Sequence, residues 1–276
     1  MSITKEILKA RDIIKQSDFI MITAGAGMSV DSGLPDFRGP QGFWKAYPPM
    51  KKLGLTLPEA SNPTWFYQDP AFAWGFFGHR YNLYKTSTPH AGHSILKKWV
   101  ASKEYFIYTS NVDGHFAKSG FSDDKIVECH GTIHYLQCLD TCSLDIWPMN
   151  QFVNFDPTTF RAKEPLPICK NCGRLARPNI LMFGDSDWIS NRTYDQMDRL
   201  ENALNESKGK MAVIEIGAGE ALPRIRVFGQ RLADKKNANL IRINPDETKD
   251  IRDSAIEIHM GALDALKILD SVMDDV

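Results

Sequence analysis

Long apolar runs are missing from this chain. Nowhere do its 276 residues approach the roughly 18 consecutive apolar positions that a membrane-spanning helix needs. The opening Met1-Ser2-Ile3-Thr4-Lys5-Glu6 holds an acid and no apolar stretch, so a secretory leader is not expected and the cytoplasm is the expected compartment. Basic excess is missing too. The 33 lysines and arginines face 34 acids, for a net charge of −1, which argues against a protein held on nucleic acid by charge alone. Neither nucleic acid nor a membrane is therefore an expected partner. Internal repeats, low-complexity tracts and extended tails are absent as well, so recruitment through appended segments is not expected. What is present, 43% hydrophobic against 24% charged residues, is enough to build a sizeable core in one large or two small folding units.

Apolar runs that read as buried parallel strands occupy residues 18–23, 105–109, 125–129, 211–216, 239–243 and 255–258. Helical periodicity covers 5–15, 91–102, 224–234 and 262–273. Strands alternating with helices predict an α/β fold: a Rossmann-like parallel sheet with helices on both faces and ligands at its carboxyl edge. Two segments break the rhythm. Residues 43–84 carry twelve of the 29 aromatics, and residues 137–176 hold four cysteines with little periodicity. These give the expected organisation: a discontinuous Rossmann-like domain (1–39, 86–136 and 177–276), a helical module (40–85) and a cysteine-bearing, zinc-binding module (137–176).

Cys138, Cys142, Cys169 and Cys172 form two close couples, the spacing of a closed four-thiolate zinc site. Redox couples are the competing explanation. Four sulfur ligands leave no place for water, so such a metal holds structure. Cys129 is left over and fits a small buried residue. Thr23-Ala24-Gly25-Ala26-Gly27-Met28-Ser29 follows the first strand, where glycines let a backbone approach a phosphate; a plain tight turn explains it equally well. The usual dinucleotide fingerprint fails, because the third glycine is displaced to Gly33 and no acid ends a second strand about 20 residues on.

The continuation through Gly33-Leu34-Pro35-Asp36-Phe37-Arg38-Gly39 resembles the signature of the sirtuins, the NAD-dependent protein deacylases. Further matches follow in family order. They are Thr109-Ser110-Asn111-Val112-Asp113-Gly114-His115, His130-Gly131, the cysteine couples, Phe183-Gly184-Asp185, Gly217-Ala218-Gly219 and Ile243-Asn244-Pro245-Asp246. The resemblance spans roughly residues 19–246. It implies NAD as co-substrate, structural zinc and an acyl-lysine peptide or protein as partner. His130 would be the general base, a role that suits an imidazole near neutral pH. Asn111 would bind the ribose nearest the reacting carbon and Asp113 the nicotinamide carboxamide. Gly25, Ala26, Gly27, Ser29 and Asp36 would line the cofactor, with Phe37 shielding the reactive carbon and Arg38 near a phosphate or ribose. Asn244 and Asp246 would meet the adenosine ribose, and the backbone of Phe183, Gly184 and Asp185 would pair with the peptide.

The chain departs from the family pattern in places. Ser110 stands where glutamine is usual, Gly217, Ala218 and Gly219 lack the hydroxyls of Gly-Thr-Ser, and Asp185 replaces a glutamate. Arg80 keeps the arginine of the Tyr-x-x-Arg pair found in sirtuins that remove acidic acyl groups, but Phe77 lacks the tyrosine hydroxyl. Uncharged acyl groups are thus expected. The reaction implied is attack of the acyl oxygen on the ribose carbon as nicotinamide leaves, and transfer of the acyl group to ADP-ribose. Mono-ADP-ribosyl transfer, NAD hydrolysis and a non-enzymatic NAD-sensing module are the alternatives.

Overall fold

The computed structural model describes residues 3–36, 39–220, 222–246 and 255–273. Its strands, in chain order, are β1 (Phe19–Ala24), β2 (Glu104–Thr109), β3 (Ile126–Glu128), β4 (Gly131–Cys138), β5 (Ile146–Pro148), β6 (Phe155–Asp156), β7 (Arg161–Ala162), β8 (Ala176–Ile180), β9 (Met211–Ile216), β10 (Asn239–Ile243) and β11 (Ile256–Ile258). The helices are α1 (Lys5–Gln16), α2 (Gly39–Ala46), α3 (Pro48–Lys52), α4 (Leu57–Ala60), α5 (Trp65–Gln68), α6 (Pro70–Thr86), α7 (Ala91–Trp99), α8 (His115–Lys118), α9 (Asn191–Glu206), α10 (Arg224–Lys236) and α11 (Ala262–Ser271).

Six strands form an all-parallel sheet in the order β3-β2-β1-β9-β10-β11. The order in which the chain lays down its strands reverses between β1 and β9, the switch point at which open α/β sheets bind ligands. Burial on both faces explains why β1 and β9 are almost wholly apolar, every residue of each being buried; the charged exception, Glu215, pairs with Arg242 of β10 at 2.7 Å. One face packs Ile20, Ile22, Ile107 and Ile214 against α1, α7 and α11. The other packs Met21, Phe106 and Val213 against α9 and α10.

The two expected insertions share one core. Phe43, Tyr47, Trp74, Phe76 and Phe77 of the helical stretch pack with Leu139, Met149, Val153 and Ala176 of the cysteine-bearing stretch, so both build a single small lobe. α6 is apolar on nearly every turn because it runs through the middle of that lobe; Asp69 caps it, accepting from the Phe72 N–H at 3.1 Å. Behind it lies an antiparallel sheet, β5-β4-β8. The helix α9 has no counterpart in the periodic pattern. It sets Met197, Leu200, Ala203 and Leu204 against the sheet and also buries the polar Thr193 and Gln196. Among the described residues no helix is long and apolar enough to cross a membrane.

Candidate active site

Register explains how motifs far apart in sequence meet. Across the sheet Ile243 pairs with Ile216, Ile216 with Ala24, Ala24 with Thr109, and Thr109 with Glu128. Each pair sits at a carboxyl end, so Asn244, Gly217, Gly25, Ser110 and Cys129-His130 emerge along one edge.

At the switch point two loops cross at van der Waals distance. A Cβ on Gly27 would lie 2.7 Å from the Gly217 Cα, and one on Gly217, at φ +61°, would lie 2.4 Å from the Met28 nitrogen. Only glycine fits this crossing. The Gly25 and Gly27 N–H groups are already engaged, donating to the Ile216 and Gly217 carbonyls, both at 3.0 Å. These glycines therefore serve the close approach of two loops before they serve any ligand.

Beside the crossing lies a polar network. Asn111 donates from Nδ2 to the Gly25 carbonyl (2.9 Å) and to Ser29 Oγ (3.2 Å), and Ser29 donates to Asp113 Oδ2 at 2.6 Å. The other Asp113 oxygen accepts from the His115 N–H at 2.9 Å. At the opposite end Asn244 donates to the Ala218 carbonyl at 2.8 Å and accepts from the Asp246 N–H at 3.2 Å. These residues other than His115, with Ala26, Asp36, Ser110, Gly219 and Arg80, line one cavity of about 760 Å³. That volume suits a bound dinucleotide, with a buried amide at each end, Asn111 and Asn244, and the buried Asp113 carboxylate at one of them to orient it. Phe37 and Arg38 lie outside the described residues.

His130 forms part of the cavity wall. It directly precedes Gly131, whose φ of +70° and 2.3 Å approach of a would-be Cβ to the Asn179 carbonyl leave room for glycine alone. From the sheet side α9 braces the same turn: Gln196 accepts from the Glu128 N–H, Thr193 donates to the Glu128 carbonyl, and Arg192 pairs with the Glu128 carboxylate at 2.6 Å. Burial pushes the His130 imidazole down to about 4, the positive Arg224 adds to that, and a hydrogen bond to the Ser110 backbone opposes both. The ring is consequently neutral at pH 7 and able to accept a proton.

Two residues that the motifs single out are occupied structurally. Asp185 forms a wholly buried ion pair with Arg177 (side chains 0% and 1% exposed) and accepts from the Met182 N–H at 3.1 Å. Its carboxylate shapes the Phe183-Gly184 turn from below; Phe183 reaches the cavity. Arg80 is buried in the small lobe, donating to the Tyr84 hydroxyl from two nitrogens at 3.3 Å, with its guanidinium over the Phe76 and Tyr84 rings, each 5.5 Å away. Arg226 escapes sequence reading. It lines the cavity from α10 and donates to the Ala218 carbonyl at 3.0 and 3.2 Å, giving the hydroxyl-free Gly217-Ala218-Gly219 turn a cationic neighbour.

In the small lobe Cys138, Cys142, Cys169 and Cys172 bring their sulfurs within 4.8 Å of one another. The Cys138–Cys172 and Cys142–Cys169 separations of 3.7 and 3.6 Å match the edge of about 3.8 Å for a tetrahedron with Zn–S bonds of about 2.3 Å. Asn171 donates its N–H to the Cys169 sulfur at 3.4 Å, which orients the ligand. The donor set fits zinc.

Fold and site together define a dinucleotide-binding α/β protein with a structural-metal lobe and a neutral histidine beside the cavity. The family model described as the Sir2 family matches residues 25–218, and the chain belongs to that family. The NAD-dependent protein deacylase of Aquifex aeolicus is 30% identical over 231 residues, covering 83% of this chain and 84% of the relative. NAD-dependent protein deacylase 1 of Caldanaerobacter subterraneus is 27% identical over 260 residues, 94% of this chain and 95% of the relative. A solved Sir2 homolog–NAD complex shares the fold with a TM-score of 0.75 at 23% identity, over 97% of this chain and 94% of that one.

Proposed function

We propose that this chain is an NAD-dependent protein lysine deacylase that transfers the acyl group to ADP-ribose and releases nicotinamide. The observation that carries the reading is His130, neutral and held on a glycine-locked turn in the wall of a cavity sized for a dinucleotide. Gly25, Ala26, Ser29, Asn111, Asp113, Asn244 and Asp246 would hold NAD, with Arg226 supplying positive charge beside Gly217 and Ala218. When bound, NAD supplies a ribose carbon made electrophilic by its pyridinium. His130 takes up a proton at its ring nitrogen; Asn111 and Ser29 keep the polar wall ordered through their mutual hydrogen bond. The four cysteines would hold zinc away from this chemistry, tying the end of β4 to the 169–172 turn within the small lobe.

The partner in this reading is a protein bearing acyl-lysine, not nucleic acid or a membrane, and the cytoplasm is its place. The near-balanced charge and the thiolate zinc site support that placement. Replacing His130 with alanine is expected to abolish NAD-dependent deacylation while NAD binding and zinc content persist. Retained turnover in that variant refutes the assignment, and nicotinamide release from NAD without any acyl-lysine peptide favours hydrolysis instead.

A further inference from the structure

A second hollow, a groove of about 920 Å³, lies between α9 and α10 and opens onto the catalytic cavity; His130, Leu181, Met182, Phe183 and Leu222 line both. Its floor is apolar, made by Tyr108, Leu200, Phe228 and Leu232, with Tyr108 and Phe228 stacked at 3.9 Å. Its rim is cationic. Arg224, Arg231, Lys235 and Lys236 line it against a single acid, Glu201. Arg224 lies at the His130 end, and Lys236 donates to the Leu204 carbonyl across the far end. Neither Arg231 nor Lys235 has an ion-pair partner among the described residues, and both are exposed.

We propose that this groove docks the part of the substrate protein next to the acyl-lysine, and that it selects segments combining acidic with apolar residues. The inference rests on the deacylase reading. Three observations point to a peptide: continuity with the catalytic cavity, an apolar floor for side chains, and a one-sided rim of charge. Helix geometry sets the reach. From Arg224 to Lys235 the rim runs about 17 Å at roughly 1.5 Å per residue, a span of about five residues of extended chain. Acidic residues are therefore favoured within about five positions of the acyl-lysine, on whichever side of it enters the groove.

The test uses labelled acetyl-lysine peptides differing only in glutamates or lysines at the second to fifth flanking positions, prepared with the flank on either side. Binding is read by fluorescence anisotropy and turnover with NAD. The native protein is expected to bind one glutamate peptide about tenfold more tightly than its lysine counterpart, with the gap shrinking in high salt. The double variant Arg231→Glu, Lys235→Glu is expected to lose or reverse that preference while turning over a bare acetyl-lysine amide at the native rate. Equal binding of both peptides, no binding of either, or a preference that survives the double variant overturns the proposal. So does a myristoyl-lysine peptide whose tight binding ignores flanking charge, because the groove would then hold an acyl chain. Charge-selective binding without turnover of any peptide would instead refute the deacylase reading and leave the groove standing.

Discussion

Replacing Gly131 by alanine tests whether one glycine sets the position of the base. Two costs add at this site. An L-residue in the left-handed region costs about 1–2 kcal/mol, and the new methyl would meet the Asn179 carbonyl oxygen at 2.3 Å. A normal contact is about 1 Å longer, so β4 and β8 must part just where His130 leaves the sheet. Gly54 provides the control. It has a similar φ of +67°, but a Cβ there meets nothing within 4 Å, so Gly54→Ala bears the conformational cost alone. Overpacking adds about 1–3 kcal/mol at Gly131. At about 2–4 °C per kcal/mol for a chain of this size, Gly131→Ala is expected to melt several degrees below Gly54→Ala. It is also expected to lose most NAD-dependent turnover, which Gly54→Ala retains. Melting by circular dichroism and deacylation of an acetyl-lysine peptide read both effects. If the two variants melt together and Gly131→Ala keeps full activity, the glycine lock does not position His130.

Removing one half of the buried Arg177–Asp185 pair leaves an uncompensated charge, so Asp185→Ala is expected to lower stability by about 3–5 kcal/mol. A variant that melts normally and only raises the peptide KM would show that Asp185 meets substrate directly. Acid should destabilise the fold well before the carboxylates protonate. Burial, then the neighbouring His90 and His115, push His93 down to about 3, with Asp113 opposing, and His130 lies at about 4. Both stay neutral when folded and gain protons at about 6.5 when unfolded. Stability is thus full above that value and drains as pH falls toward the folded ones, by about 1.4 kcal/mol per histidine between pH 7.5 and 5.5. A melting temperature unchanged over that interval would contradict the buried, neutral assignment.

Strand positions were legible because a sheet covered on both faces demands largely apolar runs, and β1, β9 and β10 are written that way, broken by charge only at Glu215 and Arg242, which pair with each other. The zinc site was legible for a different reason: its four ligands come as two couples, and local spacing is visible along a chain. Helix α9 was missed although Met197, Leu200 and Leu204 recur at helical spacing; what only tertiary structure shows is that Thr193 and Gln196 bond to the Glu128 backbone, a use that exists once β3 lies beside them. The same holds for Arg226, an ordinary helix residue until the Gly217-Ala218-Gly219 turn folds against it.

By itself, then, the sequence determined which residues are chemically capable: the histidine, the amides and carboxylates, the thiolates, and the glycines without which the backbone cannot turn. Tertiary structure decided what each is used for. It set the Asp185 side chain in an ion pair and Gly25 and Gly27 at a loop crossing, and it packed the two insertions into one lobe. It also made His130 neutral at physiological pH, since the water taken from an imidazole depends on everything packed around it. Covalent order carries reactivity, whereas burial and register, which depend on residues distant along the chain, assign the roles.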